Sequence, residues 1–385
     1  MKNAPAKRCS VLTRRRFLRS AVFLVTIAIL VILTPLESSE VKSQNTHSGP
    51  VKLVFPQRGA YTGAYIDFGE AEDKVSLDAI EDFEKLVGKH QAIIASSSFW
   101  GEQTFPLKNL QIITRHGSLP MIYWSPWDRP YDEKAGAGRF SLQHILAGKC
   151  DAYIDQWADQ ARSFGKPILV SWGLEMNGDW FPWSGYFHGA GKRIGDGDPP
   201  RFEGPELYKK AFRYVVDRVR ARGASNIYWG FHTNNFSYPT LPWNAMQQYY
   251  PGPDYVDWLG MSVYGKQFRQ GDWWVTFREL MDKPYQEICQ IDPVKPILLA
   301  EWGVGEYPSI GDKAAWIRDG FSGMKTLYPR IKGAVYWHER WLNEDDTYSN
   351  LRVNSSPGAL QAYREGVADP HWLDRPLFEV QLSKQ

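Results

Sequence analysis

The chain has 385 residues, enough for one large domain. Its hydrophobic fraction of 43% and charged fraction of 23% are those of a globular protein with a buried core, so disorder is expected only at the termini. Lys and Arg (45) nearly balance Asp and Glu (43), and no basic block lies beyond the extreme N-terminus, which argues against a nucleic-acid partner. The 17 Trp exceed what a core needs, so several rings are expected to line a surface or cleft.

The N-terminus carries the one basic cluster, Arg14-Arg15-Arg16 before Phe17-Leu18, and then an apolar run at 21–33. This order is typical of an export signal, and the paired arginines are similar to those of a twin-arginine signal. An uncleaved signal anchor is the alternative, since no clear cleavage site follows the run, although the run is short for a span of about 20 residues. Residues 1–45 are therefore predicted to be a signal or anchor with a linker, and the folded domain to lie outside the cytoplasm.

From residue 51 onward, short β-branched or aromatic runs alternate with longer amphipathic stretches, which predicts a parallel α/β fold. Eight strands are predicted, at 63–68, 92–96, 121–124, 168–174, 227–232, 256–264, 297–301 and 333–337. Helices are predicted between or after them at 77–87, 150–164, 205–222, 274–289, 313–327 and 357–366. The eight strands read as continuous apolar runs, as expected for strands buried on both faces. The predicted fold is a (β/α)8 TIM barrel over 46–370 with a tail at 371–385, and a doubly wound sheet is the alternative.

Two of the predicted strands end in the same pattern. Glu175 follows the fourth strand among aromatic and turn residues, and Glu301 ends the seventh strand, directly before Trp302-Gly303. Because the carboxyl ends of barrel strands form the catalytic face, both carboxylates are predicted to meet at one mouth. Two facing carboxylates are what glycoside hydrolysis requires, one as proton donor and one as nucleophile or base.

These residues resemble glycoside hydrolase family 26, a group of retaining barrel glycosidases with mannanase members. The segment Glu175-Met176-Asn177-Gly178 with Trp180-Phe181-Pro182-Trp183 is similar to the family's acid/base region, and Glu301-Trp302-Gly303 to its nucleophile region. Weaker similarity covers Trp124-Ser125-Pro126, residues 257–264 and Trp337. The resemblance implies that Glu175 is the general acid/base, that Glu301 is the nucleophile, and that Tyr264 holds the nucleophile by a hydrogen bond.

The sequence departs from the family at two positions. Leu174 and Ser125 stand where the family usually has histidines that position the glutamates and the sugar. Their replacement puts the usual mannan specificity in question and leaves the two glutamates in place.

Aromatic residues gather at or just beyond the predicted strand ends, where their rings could stack on sugars. The predicted substrate-binding residues are Trp124, Trp127, Asn177, Trp180, Trp183, His232, Tyr264, Trp302 and Trp337. For any single tryptophan, packing in the core is an equal alternative. Trp341, Asn234, Asn235 and His338 are weaker candidates.

No zinc-protease, phosphate-loop or serine-nucleophile motif is present, so no cofactor and no metal are predicted. The acidic run Glu344-Asp345-Asp346 lacks a full calcium ligand series and is interpreted as a solvated loop. Cys150 and Cys289 are interpreted as thiols rather than a disulfide.

The leading hypothesis is an endo-acting, retaining hydrolase of a β-linked glycan, acting as a monomer and touching a membrane only through an N-terminal anchor. β-Mannan is the first candidate substrate, followed by β-xylan, mixed-linkage β-glucan and a secreted exopolysaccharide. The alternative is a non-catalytic glycan-binding or secretion-associated protein on a degenerate barrel.

Overall fold

A computed structural model describes residues 51–128 and 138–380. The predicted export segment lies outside these residues. Within the described ranges, no helix combines the length and the apolar character needed to cross a bilayer.

Eight parallel strands close into a barrel, which confirms the predicted fold class. The strands are β1 (Ala60–Ile66), β2 (Ile93–Phe99), β3 (Leu119–Ser125), β4 (Ile168–Trp172), β5 (Ile227–Asn234), β6 (Trp258–Tyr264), β7 (Ile297–Gly303) and β8 (Ile331–His338). Each pairs with the next, and β8 pairs with β1 from Gly333↔Tyr61 to His338↔Ile66. This last pairing closes the sheet and excludes the doubly wound alternative.

Helices surround the barrel. They are α1 (Leu77–Val87), α2 (Leu107–His116), α3 (Leu142–Leu146), α4 (Asp151–Phe164), α5 (Glu203–Ala221), α6 (Phe277–Ile291), α7 (Lys313–Thr326) and α8 (Pro357–Ala368). Their ends follow local chemistry: Ser76 caps α1, Thr276 and Glu279 form a capping box on α6, and Ser356 precedes Pro357 on α8. α2 and α3 were not predicted from the sequence, because both are short and each buries only two side chains.

The amino end of the barrel is covered by a two-stranded sheet. Val51–Val54 pairs antiparallel with Leu377–Val380, so part of the predicted tail is a strand of the fold. The Tyr228 hydroxyl, at the start of β5, accepts a hydrogen bond from the Leu53 N–H at 2.7 Å. Tyr61 in β1 accepts one from the Leu377 N–H at 2.9 Å. Both ends of the described chain are thus fastened to the base of the barrel.

The opposite, carboxyl end of the barrel carries the longer loops. The loop predicted at 184–204 contains a short antiparallel pair, Arg193–Ile194 with Arg201–Phe202. Glu344, Asp345 and Asp346 are exposed, in agreement with a solvated loop. Cys150 and Cys289 are both free thiols.

Candidate active site

Glu175 and Glu301 lie at the carboxyl end of the barrel, in the loop after β4 and in β7. Each residue is 7% exposed, so the carboxylates are mostly buried and still reach the surface. Glu175 has a φ of +53°, a left-handed conformation that is unusual for a residue with a side chain. Its backbone N–H donates to the His232 carbonyl of β5 at 2.8 Å. The turn after β4 is therefore held against β5, which fixes the direction of the Glu175 side chain.

Two N–H donors hold the Glu175 carboxylate. Asn234, at the end of β5, donates from Nδ2 to Oε1 at 3.0 Å. Trp180, from the loop after β4, donates from Nε1 to Oε2 at 2.7 Å. Trp180 is 40% exposed, so its ring lies beside the carboxylate and faces solvent.

The Glu301 carboxylate is held from the neighbouring strand. The Tyr264 hydroxyl, at the end of β6, donates to Glu301 Oε2 at 2.8 Å. The register of β7 against β6 shifts between Leu299 and Glu301, which marks a bulge in β7. Such bulges redirect side chains near functional sites. The Ala300 carbonyl in the bulge accepts a bond of 2.7 Å from the Tyr123 hydroxyl, which reaches it from β3.

Ser262 of β6 links the two carboxylates. Its hydroxyl interacts with both and lowers the pKa of each. Ser262 is also bonded to His232 Nε2 at 2.8 Å, and His232 Nδ1 to the Ser171 hydroxyl at 2.9 Å. Burial lowers the pKa of His232 to about 3, so the ring is neutral and relays a hydrogen bond without carrying charge. The chain Ser171–His232–Ser262 therefore orients the hydroxyl that faces the glutamates.

Burial dominates the electrostatics of the pair. It raises the pKa of Glu175, opposed by the bonds from Ser262, Asn234 and Trp180. Burial also raises the pKa of Glu301 well above its ordinary value, and the charge of Glu175 raises it further, opposed by Tyr264 and Ser262. Because two adjacent buried carboxylates resist ionising together, the pair is expected to retain one proton near neutral pH. One protonated and one ionised carboxyl is the state that acid and nucleophile catalysis needs.

The other side of the mouth contains two acidic residues that the sequence analysis missed. Glu339 follows β8 and accepts a bond of 2.7 Å from Trp337 Nε1, while the Trp337 ring stacks on Tyr65 at 4.0 Å. Burial, followed by the charge of Glu72, raises the pKa of Glu339 to about 8. Glu72 accepts a bond of 2.6 Å from the Ser97 hydroxyl of β2. Glu339 could have been found as a carboxylate beyond a strand end, whereas Glu72 lies in a loop with no such signal.

Comparison with known proteins identifies this architecture. Residues 141–296 match the sequence model of Glycosyl hydrolase family 26. A protein named Endoglucanase H, from Acetivibrio thermocellus, is 32% identical over 298 residues, which is 76% of this chain and 29% of the relative. The barrel domain belongs to glycosyl hydrolase family 26. Its resemblance to this family, expected from the two glutamate motifs, is confirmed.

Two further comparisons agree with this assignment. A β-1,3-xylanase named TXYA, from a Vibrio species, is 28% identical over 253 residues, covering 60% of this chain and 50% of the relative. The chain thus spans between about a third and a half of the length of these two proteins. The catalytic domain of an endo-β-1,4-mannanase of family 26 from Bacillus sp. JAMB-750 superposes with a TM-score of 0.59 at 17% identity, covering 82% of this chain and 87% of that one. This last likeness concerns the fold.

Four of the predicted substrate-binding residues, Trp127, Trp180, Tyr264 and Trp337, lie at the mouth. Trp180 and Tyr264 bond Glu175 and Glu301, and Trp337 lies over Tyr65. Trp127 packs edge-on against Phe181 at 5.5 Å and supports the loop after β4. Trp180 is the one of the four whose ring is broadly exposed.

The prediction for Trp124 and Trp302 is wrong. Trp124 is fully buried, stacks on Trp157 of α4 at 4.1 Å and donates to the Tyr153 hydroxyl. Trp302 packs against Trp316 of α7 at 5.9 Å. Successive side chains of a strand point to opposite faces, so the residues next to the inward Tyr123 and Glu301 point to the helices. Both tryptophans therefore belong to the layer between barrel and helices.

Three other residues predicted to contact the substrate are buried, so that prediction is also wrong for them. Trp183 is buried, with its Nε1 donating to the Leu174 carbonyl at 2.7 Å. His232 is buried between Ser171 and Ser262. Asn177 is fully buried and supports the site.

Asn177 joins the loop after β4 to the loop after β5. Its Oδ1 accepts from the Asn234 N–H at 2.9 Å, and its Nδ2 donates to the Asn234 carbonyl at 2.9 Å. Because Asn234 also holds Glu175, Asn177 fixes the partner of that carboxylate.

The two positions that depart from the family are both mostly buried. Leu174 belongs to the hydrophobic core beside Glu175, and Ser125 ends β3. A leucine supplies no hydrogen bond at a position where the family usually has an imidazole.

We expect Asn177→Ala to lower the free energy of unfolding by about 2–3 kcal/mol, because it leaves buried backbone groups of Asn234 without partners. Chemical denaturation followed by tryptophan fluorescence measures this change. Asp179→Asn, two residues further along the same loop, is the control and should change stability little. An Asn177→Ala protein as stable as the wild type would show that the two loops are held together by other contacts.

Proposed function

We propose that this chain is a retaining, endo-acting hydrolase of a β-linked glycan, with Glu175 as general acid/base and Glu301 as nucleophile. The observation that carries the proposal is the pair of buried, coupled carboxylates at the ends of β4 and β7, both within reach of Ser262. Membership of family 26 supports it, since relatives of this family are named as glycan hydrolases.

The proposed reaction has two steps. Glu175 donates its proton to the departing glycosidic oxygen while Glu301 attacks the anomeric carbon and forms a glycosyl-enzyme. Glu175, now ionised, removes a proton from water, which attacks the same carbon and releases Glu301. Each step inverts the anomeric centre, so the product keeps the β configuration. Tyr264 and Ser262 hold the nucleophile, and Asn234 and Trp180 hold the acid/base.

Internal cleavage is supported by exposed rings in several loops of the carboxyl end. The loop after β5 exposes Phe236 and Tyr238, and the loop after β6 exposes Phe268 and Trp273. Together with Trp180, these rings form flat surfaces beyond the catalytic pair, and the sugars of a long glycan chain can stack on them. An enzyme that cuts only chain ends needs no such extended platform.

Among the candidate substrates, a β-glucan now precedes β-mannan. The relative that aligns with 76% of this chain is named an endoglucanase, although this chain covers 29% of that protein. Leu174 and Ser125 also replace the histidines expected of the mannan-cleaving pattern. β-1,3-Xylan and β-mannan follow, in line with the names of the other relatives.

Chemical rescue tests both roles. Activity is first measured as the release of reducing ends from three glycans: mixed-linkage β-glucan, β-1,3-xylan and β-mannan. Glu175→Gln and Glu301→Gln are each expected to lower the rate about 1,000-fold or more. With an activated aryl glycoside and azide, Glu175→Ala should yield the β-glycosyl azide after two inversions. Glu301→Ala should yield the α-glycosyl azide after one.

The competing function is that of a glycan-binding protein without turnover. Under it, the wild type would bind one of the glycans in affinity electrophoresis and release no more sugar than either Gln variant. Azide products with the anomers exchanged would instead contradict the assignment of the two roles.

The hydrogen bond from Tyr264 makes a second prediction. It stabilises ionised Glu301 and lowers its pKa, so Tyr264→Phe raises that pKa. The nucleophile must be ionised, and the acid limb of the kcat/KM profile is expected to move to higher pH. The loss of this bond should also lower kcat/KM about 10- to 100-fold. The control variant Tyr153→Phe removes a buried hydroxyl between the barrel and the helices, and it should leave the acid limb in place. If the acid limb does not move in Tyr264→Phe, Tyr264 does not set the pKa of the nucleophile.

We also propose that the chain is exported through a twin-arginine-type signal in its first 45 residues, as the Arg14-Arg15 pair before the apolar run indicates. Replacing both arginines with lysine is expected to keep the protein in the cytoplasmic fraction, which immunoblotting of cell fractions measures. Export that is unchanged in this variant would point to a signal of another type.

A further inference from the structure

A cluster of three ligand-type side chains lies at the amino end of the barrel, away from the glutamate pair. Glu84 belongs to α1, His90 precedes β2 by three residues, and His116 ends α2 shortly before β3. Glu84 Oε1 lies 2.5 Å from His90 Nδ1, and Glu84 Oε2 lies 3.0 Å from His116 Nε2. One ligand atom from each residue can be chosen so that all three lie within 4.8 Å of one another.

The surroundings orient these groups. The Gln91 N–H donates to Glu84 Oε1 at 2.8 Å and fixes the carboxylate. The two imidazole rings meet edge to face, with their centroids 4.7 Å apart. The three side chains are between 11% and 14% exposed, so solvent reaches the cluster. The hydrogen bond from Gln91 supports the carboxylate as outer groups do in protein metal sites, and the partial exposure leaves access for a water ligand.

We propose that Glu84, His90 and His116 bind a divalent transition-metal ion of the zinc class. Two imidazole nitrogens and one carboxylate oxygen are ligands that Zn²⁺ takes, with water as a fourth. Small side-chain rotations separate the three atoms enough to surround an ion at about 2.0–2.2 Å. Coordination through His90 Nδ1 moves the ring proton to Nε2, which is buried and makes no hydrogen bond in the part of the chain that the structure describes.

The ion would be structural. The amino end of a barrel contributes to stability, and the catalytic groups lie at the carboxyl end. Coordination would link α1, the segment before β2 and the end of α2 through one metal ion. The competing interpretation is a hydrogen-bond network in which Glu84 accepts hydrogen bonds from both rings. Arg375, which donates to the His116 carbonyl at 3.3 Å, adds a positive charge nearby that favours this interpretation.

Zinc titration separates the two. The full chain is treated with EDTA, dialysed and titrated with ZnCl2 at pH 7.5 in a calorimeter, and melted with and without zinc. We expect one ion per chain and a rise in Tm of about 3 °C or more at zinc concentrations 100 times Kd. His116→Gln and Glu84→Gln keep a polar side chain at each position, and each should weaken binding at least about tenfold and, at the same zinc concentration, reduce the rise by about half or more.

His144→Gln, on α3, is the matched control and should bind zinc as the wild type does. Circular dichroism establishes whether each variant is folded. If His116→Gln does not fold, Glu84→Gln provides the test. The proposal is overturned if the wild type does not bind one zinc ion per chain. It is also overturned if His116→Gln and Glu84→Gln bind zinc as tightly as the wild type, because the ion is then held by other groups such as the cysteines. Both readouts are independent of glycan hydrolysis, so a failure here leaves the proposed function unaffected.

Discussion

The structure depends on the burial of two carboxylates at one barrel mouth. Removing a carboxylate from water costs several kcal/mol unless polar groups replace the solvent. Here the replacement comes from four side chains on three segments: Asn234 and Trp180 serve Glu175, Tyr264 serves Glu301, and Ser262 serves both. The compensation is incomplete, so both pKa values remain raised. Raised and coupled pKa values are what allow one carboxyl to keep a proton at neutral pH.

Holding these donors requires a supporting layer. Neutral His232 is hydrogen-bonded to both Ser171 and Ser262, and Asn177 holds Asn234. Both side chains are fully buried, although both residues are polar and lie in or just beyond the carboxyl end of a strand. Their position explains why motif reasoning selects them: residues that orient a catalytic group occur in the same segments as the group itself.

Much of the fold and the location of the pair could be predicted from the sequence. Eight buried strands and the repeated Glu-containing strand ends required only local patterns. The sequence does not show toward which face of the sheet each ring points. A shift of one residue along a strand moves a side chain from the barrel interior to the helix layer. For this reason Trp124 and Trp302 point to the helices, whereas Trp337 packs against Tyr65 and Tyr123. Glu72 at the mouth, and the cluster of Glu84, His90 and His116 at the amino end, are placed by tertiary folding, so no local pattern predicts them.

The pairing of Val51–Val54 with Leu377–Val380 has a practical consequence. Both ends of the described chain emerge at the base of the barrel, on the side away from Glu175 and Glu301. An affinity tag, a fused carbohydrate-binding module or a bead attached at either end would leave the sugar-facing surface unobstructed. The same proximity makes the barrel domain between these two strands suited to circular permutation, because a short linker can join Val51 to Val380 while new ends are opened in a surface loop.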